Sequence, residues 1–218
     1  MSDGSNYLDP NRPDAVRLSV SDASALGEAA LGRIGYGGDD GRIITDQLID
    51  NSLCGYRFAG LPRILAIARE ARTRNARVPI DVVRETPVSA LVDGGNNVGY
   101  VAVYRGAEIA IAKAKQTGIA AVGVYNSYFS GRNAYYLERI VNAGLVGLHT
   151  ASGAPHIVPP GATRPALGTN PSRSRPWASS PARRSRAARC RITGSCFWLS
   201  IPRRFCPGTR SRSRCPSW

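Results

Sequence analysis

Side chains able to move a proton at neutral pH are scarce in this chain, and their positions limit the chemistry open to it. There are two histidines, His149 and His156. His149 sits in the apolar run "LVGLHTA", where a core histidine with its hydrogen bonds satisfied is the plain reading and a catalytic base the sharper one. His156 lies between Pro155 and Ile157 in "APHIVPPGATRPALGTNP" (154–171), a Pro- and Gly-rich stretch of a length that suits a binding loop. The only lysines, Lys113 and Lys115, fall in an Ala-rich helical pattern, as a solvated helix face or a phosphate contact. Cys54 stands alone in an apolar helical stretch and reads as a small core residue. Cys190, Cys196, Cys206 and Cys215 are separated by 5, 9 and 8 residues, unlike the close pairs of a zinc module.

The elements that must position these groups follow from periodicity and turn residues. "AVRLSV" (15–20) predicts a short strand. Ser21 or Asp22 then caps a helix to about Ile34, stopped by Gly35. Asp39 or Asp40 caps a second helix, "GRIITDQLIDNSLCG", with Ile43, Ile44, Leu48, Ile49 and Leu53 at helical spacing and Gly55 closing it. "GLPRILAIARE" is a third helix with Pro62 near its first turn, and "ARTRNARVP" a basic, exposed connector. From residue 79 the pattern runs strand, strand, helix, strand, helix, strand. Its pieces are "IDVVRE", "SALVDG", a helix over 98–117 ended by Gly118, a strand over 119–127, a helix over 133–144 stopped by Gly144, and "LVGLHTA". That is an α/β pattern.

Several ordered motifs in residues 15–171 resemble the malate/L-lactate dehydrogenase family, which contains ureidoglycolate dehydrogenase and is unrelated to the Rossmann-type lactate dehydrogenases. The matching features are "DGGNNVG" ahead of a long helix, "VYNS" followed by a glycine and the Tyr-Tyr helix "NAYYLERIVNAG", and "PPG" ahead of "GTNP". "LCGYRFAGLPRIL" is similar to the family's L-x-G-x-x-S-H-G-x-x-R. The resemblance implies a homodimeric enzyme with NAD or NADP in a non-Rossmann fold. Such an enzyme moves hydride between the nicotinamide and a 2-hydroxy or 2-oxo acid. It also implies cofactor contacts from Asn126, Ser127, Gly131, Ser152, Gly161, Thr169, Asn170 and Pro171.

The chain departs from that pattern where acid–base chemistry is expected. Phe58–Ala59–Gly60 stands in place of S-H-G, and Phe129–Ser130–Gly131 in place of a motif that is often H-F-G. Phe and Ala transfer no protons. Tyr56, Tyr128 and Arg132 lie nearest the missing histidines and are the candidate catalytic residues. A tyrosine, ordinarily near pKa 10, needs a neighbouring cation to act as a base. Arg132 is the candidate for that cation or for a bidentate carboxylate clamp; the plain alternative is that Tyr128 and Arg132 are half-exposed turn residues.

Composition changes abruptly at Ser172. Residues 172–218 hold 12 Arg with no Lys, Asp or Glu, so most of the formal charge of +14 sits there and the remainder is nearly balanced. Arg, Ser, Pro and Cys make up 31 of those 47 residues, as when a GC-rich gene is read out of frame. Family members follow G-T-N-P with residues such as Ile-Ala-Phe. Written as ATC-GCG-TTC and read one base later, that tripeptide becomes Ser-Arg-Ser, the residues at 172–174. The expected organisation is therefore a flexible leader (1–14), an N-terminal helical lobe (15–78), a partial NAD(P)-binding α/β domain (79–171) and a disordered Arg/Ser/Pro-rich tail (172–218). On this reading the chain is truncated and without dehydrogenase activity. The strands over 119–151 then lack partners, which favours aggregation. The alternative is a non-enzymatic protein whose arginine tail binds nucleic acid. The polar, acidic N-terminus and the lack of a long apolar run point to a cytoplasmic chain with no membrane contact.

Overall fold

The computed structural model describes residues 16–153, 155, 157–168, 172–175 and 196–202. The expected leader over 1–14, together with His156, Thr169, Asn170 and Pro171, lies outside the described residues.

The chain enters without the strand expected at 15–20. Helix α1 (Val20–Arg33) starts there instead, because the Ser19 hydroxyl accepts the Asp22 amide at 3.0 Å and satisfies an otherwise orphaned donor. Val16 is 81% exposed. Helix α2 (Gly38–Leu53) is capped by Gly37 rather than by an aspartate; Asp39 and Asp40 lie in its first turn, at the positive end of the helix dipole. Its Ile43, Ile44 and Leu48 are buried, whereas Leu53 points outward. Helix α3 (Arg63–Arg69) begins after Pro62.

The sheet begins with β1 (Asp81–Thr86) and β2 (Ser89–Val98), an antiparallel pair. Helix α4 (Gly99–Thr117) ends at Gly118, whose φ of 95° only glycine adopts readily. It returns the chain to β3 (Ala120–Tyr128), parallel to β2. Helix α5 (Asn133–Asn142) leads to β4 (Leu145–Ala151). Val92, Val122 and Val124 pack against Ala107, Ala110 and Ala114 of α4 and Leu137 and Ile140 of α5. A second apolar cluster joins Leu31, Ile44, Leu48 and Ile67 of the helical lobe to Val98, Tyr100 and Val101. Lys113 serves neither of its expected roles. It is buried, and its ammonium reaches the Thr86 carbonyl (2.6 Å) and the Glu85 carboxylate (2.7 Å), fastening α4 to β1. Lys115 is exposed in the last turn of α4.

The tail corrects the expectation of disorder in two places. β5 (Ser172–Arg175) pairs with β4, and β6 (Cys196–Pro202) lies between β3 and β4, giving the order β1-β2-β3-β6-β4-β5. The expected absence of partners for β3 and β4 is therefore also corrected: backbone from the tail supplies them. The sheet face away from α4 and α5 leaves Leu91, Tyr125, Val146 and Leu148 37–40% exposed.

Candidate active site at the strand ends

Because β2 and β3 are parallel, their last residues leave the sheet side by side, with Asn97 level with Ser127 and Val98 level with Tyr128. Crevices beyond the carboxyl ends of parallel strands are where open α/β sheets bind ligands. Backbone strain gathers there as well. Asn96 (φ 58°), Asn126 (52°) and Phe129 (52°) are the non-glycine residues in the left-handed region among the described residues, and for a bulky phenylalanine that is unusual. Gly131 follows at φ 75°, where a Cβ would also stand 2.5 Å from the Tyr100 ring.

Three polar networks tie these turns to the helical lobe. In the first, Arg72 donates to Asn96 Oδ1 (3.1 Å), the Ser127 carbonyl (3.2 Å) and Asn126 Oδ1 (3.4 Å), with its guanidinium 4.9 Å from the Tyr128 ring centre. Asn126 Nδ2 donates to Asp93 (2.8 Å), whose carboxyl is held below its ordinary pKa first by the Gly95 amide and then by Asn126. The connector expected to be exposed thus provides a bridge. Arg77 also lies over the Tyr36 ring at 3.9 Å and donates to the Gly35 carbonyl at 2.7 Å.

The second network is a chain of hydroxyls whose direction can be deduced. Thr73 Oγ1 is 2.7 Å from the Ile67 carbonyl, which only accepts, so its proton points there. Tyr128, 2.8 Å from Thr73, therefore donates to Thr73; Tyr36, 3.3 Å from Tyr128, donates to Tyr128 and accepts the Val98 amide at 3.1 Å. Burial pushes the Tyr128 pKa up to about 12, outweighing the lowering by the Thr73 contact and the Arg77 cation, and the Tyr36 contact adds to the rise. Tyr128 holds its proton at neutral pH.

The third network joins the two loops from which the resemblance leads one to expect histidines. Asn51 is buried; its Nδ2 donates to the Ala59 carbonyl (3.1 Å) and its Oδ1 accepts from Arg132 Nε (3.1 Å). Arg132 also pairs with Asp50 and, at 3.6 Å, with Glu138. Three protein partners thus occupy the guanidinium proposed as a clamp. The Arg63 guanidinium stands 4.5 Å over the Phe129 ring. Tyr56 is half-buried, with its ring edge-on to Phe58 at 6.5 Å.

The structure therefore brings Asn126, Ser127, Tyr128, Gly131 and Arg132 to one end of the sheet. Ser152 leaves β4 toward the same end: Ala151 and Val124 both register with Cys196, so Ser152 follows at the level of Tyr125 in β3. Gly161 is elsewhere, in the turn Pro159–Ala162 of a loop closed by the Ile157–Leu167 bridge. His149 is buried, packed edge-on to Tyr136 at 5.6 Å, with its pKa lowered by burial to about 4, a core histidine. Sequence reasoning missed Tyr36, Asn51, Arg63, Arg72 and Asp93; of these, Arg63 carried a signal as the arginine closing L-x-G-x-x-S-H-G-x-x-R, and Asp93 as the first residue of "DGGNNVG". A cleft of about 900 Å³ between the connector and α4 includes none of the predicted site residues, and its lining mixes Arg77 and Arg105 with Asp40, Asp81 and Glu108. Among the described residues no group of three His, Cys, Asp or Glu could hold a metal, and no helix is long and apolar enough to cross a membrane. The zinc reading of the tail cysteines rests on side chains outside the described residues.

The model of the malate/L-lactate dehydrogenase family matches residues 18–174. The chain belongs to that family. It is 31% identical over 158 residues to L-sulfolactate dehydrogenase of Methanothermobacter thermautotrophicus, covering 72% of this chain and 46% of that protein. It is 30% identical, also over 158 residues, to the ureidoglycolate dehydrogenase (NAD(+)) of Escherichia coli, covering 72% of this chain and 45% of that protein. The structure of malate dehydrogenase from Pyrococcus horikoshii superposes with a TM-score of 0.67 at 30% identity, covering 73% of this chain and 46% of that one. The chain spans about half the length of these relatives. The family match takes in every described element of the body and stops inside β5, so β6 lies beyond it.

Proposed function

We propose that residues 16–168 are the substrate-facing part of a dehydrogenase scaffold that acts on 2-hydroxy or 2-oxo acids with NAD or NADP, and that this chain performs no hydride transfer. The relatives named for malate and sulfolactate suggest an acid carrying a second anionic group. Arg63, half-buried over Phe129 at the mouth of the two loops, is the cation best placed to meet such an anion.

The observation that carries the proposed inactivity is the Asn51–Arg132 tie. It holds the Ala59 and Phe129 loops together as one site, and neither residue can give or take a proton. Tyr128 does not replace them, since its hydroxyl proton is committed to Thr73. The residues present also fail to fit a dinucleotide by themselves. Both side-chain atoms of Asn126 and the Ser127 carbonyl are taken up by Arg72 and Asp93, and the Asp93 charge opposes a phosphate.

Oxidation of NADH and NADPH with oxaloacetate and with sulfopyruvate tests this reading directly. No turnover is expected, and turnover with either acid overturns it. Resequencing codons 160 to 190 tests the origin of the tail. A neighbouring frame that continues with family-like sheet sequence for a hundred residues supports a frame change at Ser172; a neighbouring frame that soon stops removes it.

A further inference from the structure

The body of the chain builds the sheet in two pieces that are not hydrogen-bonded to each other. β3 and β4 share no ladder; each is hydrogen-bonded to β6, antiparallel in both cases. Val124 and Ala151 are both level with Cys196, and Ala120 and Gly147 with Ser200, so the two walls run parallel and in step. With neighbouring strands ~4.8 Å apart, the walls stand about 10 Å from each other, one strand's width. Buried Leu145 and Ala151 anchor β4 in the same core as Val122 and Val124 of β3, with α4 packed against β3, α5 packed against β4, and the two helices against each other.

We propose that this gap is a strand-acceptor site, which takes an extended segment of about seven residues antiparallel to both walls, and that its occupant in this chain is the tail segment Cys196–Pro202. The ladder bonds are backbone to backbone, so a segment outside the family-matched region can make them without family sequence. In a tail dominated by Arg, Ser and Pro, "ITGSCFWLSIP" (192–202) is the longest run free of arginine, and it holds Phe, Trp, Leu and Ile, residues suited to a strand. Pro202 falls at the end of the strand, where a missing N–H is tolerated. Two facing empty edges would otherwise leave a double row of unpaired N–H and C=O groups. The tail is then a surrogate structural element, whatever reading frame produced it.

The test uses the full chain carrying Leu199→Pro, since Leu199 is level with both Ala121 and Leu148. Arg189→Pro, outside the strand, is the control. Hydrogen exchange read by mass spectrometry should show both walls, Ala120–Val124 and Leu145–Ala151, exchanging about 100-fold faster in Leu199→Pro than in the control, while the β1–β2 ladder stays protected. A synthetic peptide of residues 196–202 should restore the protection. Walls equally protected in both variants, or unprotected in the unaltered chain, overturn the proposal. If Leu199→Pro also loses the β1–β2 ladder, disulfide mapping of Ala151→Cys decides. Oxidation should join position 151 to Cys196, which is level with it, and equal yields to Cys190, Cys206 or Cys215 overturn the assignment.

Discussion

The two edges of β3 make the same kind of bond to strands of different origin. On one edge, β2 lies parallel, inside the family-matched region, and ends in turns that Arg72, Tyr36 and Asn51 fasten to the helical lobe. On the other, β6 comes from a tail of unrelated composition and pairs antiparallel. The comparison separates two demands on a sequence. A β-ladder asks little beyond extended backbone and strand-prone residues. A strand end shaped for chemistry asks for left-handed asparagines, a glycine where no Cβ fits, and arginines reaching across tens of residues.

If that division is right, the largest losses of stability come from the family side. Gly131→Val forces a branched residue to φ 75° against Tyr100 and should cost about 3 kcal/mol or more. The check is urea unfolding followed by circular dichroism; a loss below that of Leu199→Pro would break the comparison.

Next comes the pH dependence of the core beneath α5. The pKa of His149 is lowered to about 4 in the fold, against about 6.5 unfolded. Between those values the unfolded chain binds more protons, so stability is full above about pH 7 and falls as pH drops through 6.5 toward 4, by roughly 3 kcal/mol in all. Unfolding curves from pH 4 to 8 should show this slope, and His149→Phe should flatten it. A slope unchanged by the substitution would place the acid sensitivity elsewhere.

The smallest effects sharpen the comparison by testing which hydroxyl of the chain holds the strand end. Tyr36→Phe strands the Val98 amide and should cost about 1–3 kcal/mol; Tyr128→Phe leaves Thr73 bonded to Ile67 and should cost about 0.5–1.5 kcal/mol. The reverse order of losses would mean that the Val98 amide does not depend on the Tyr36 hydroxyl.

Much of the sheet was legible in the residues themselves. β4 matches "LVGLHTA" residue for residue, and the glycines at 35, 55 and 118 end helices as read. Local signals misled where a single side chain decided the outcome. The alternation of 15–20 lost to the Ser19 cap, and Lys113 was drawn into the sheet edge by a carbonyl and a carboxylate that no helical pattern reveals. The candidate site was half legible. Its turns could be found from asparagine, serine and glycine, but nothing near Arg72 in sequence announces that it will meet Ser127, fifty-five positions on. β6 was hidden for the opposite reason: its surroundings argued against any fold, and a short apolar run does not distinguish strand from helix.

The gap between β3 and β4 also sets an order of events during synthesis. Both walls leave the ribosome before the strand that joins them, since roughly fifty residues separate Ala151 from Pro202. At about 5–20 residues per second, that leaves the half-built sheet open for some 3–10 s, with two strand edges facing whatever neighbouring chains are being made.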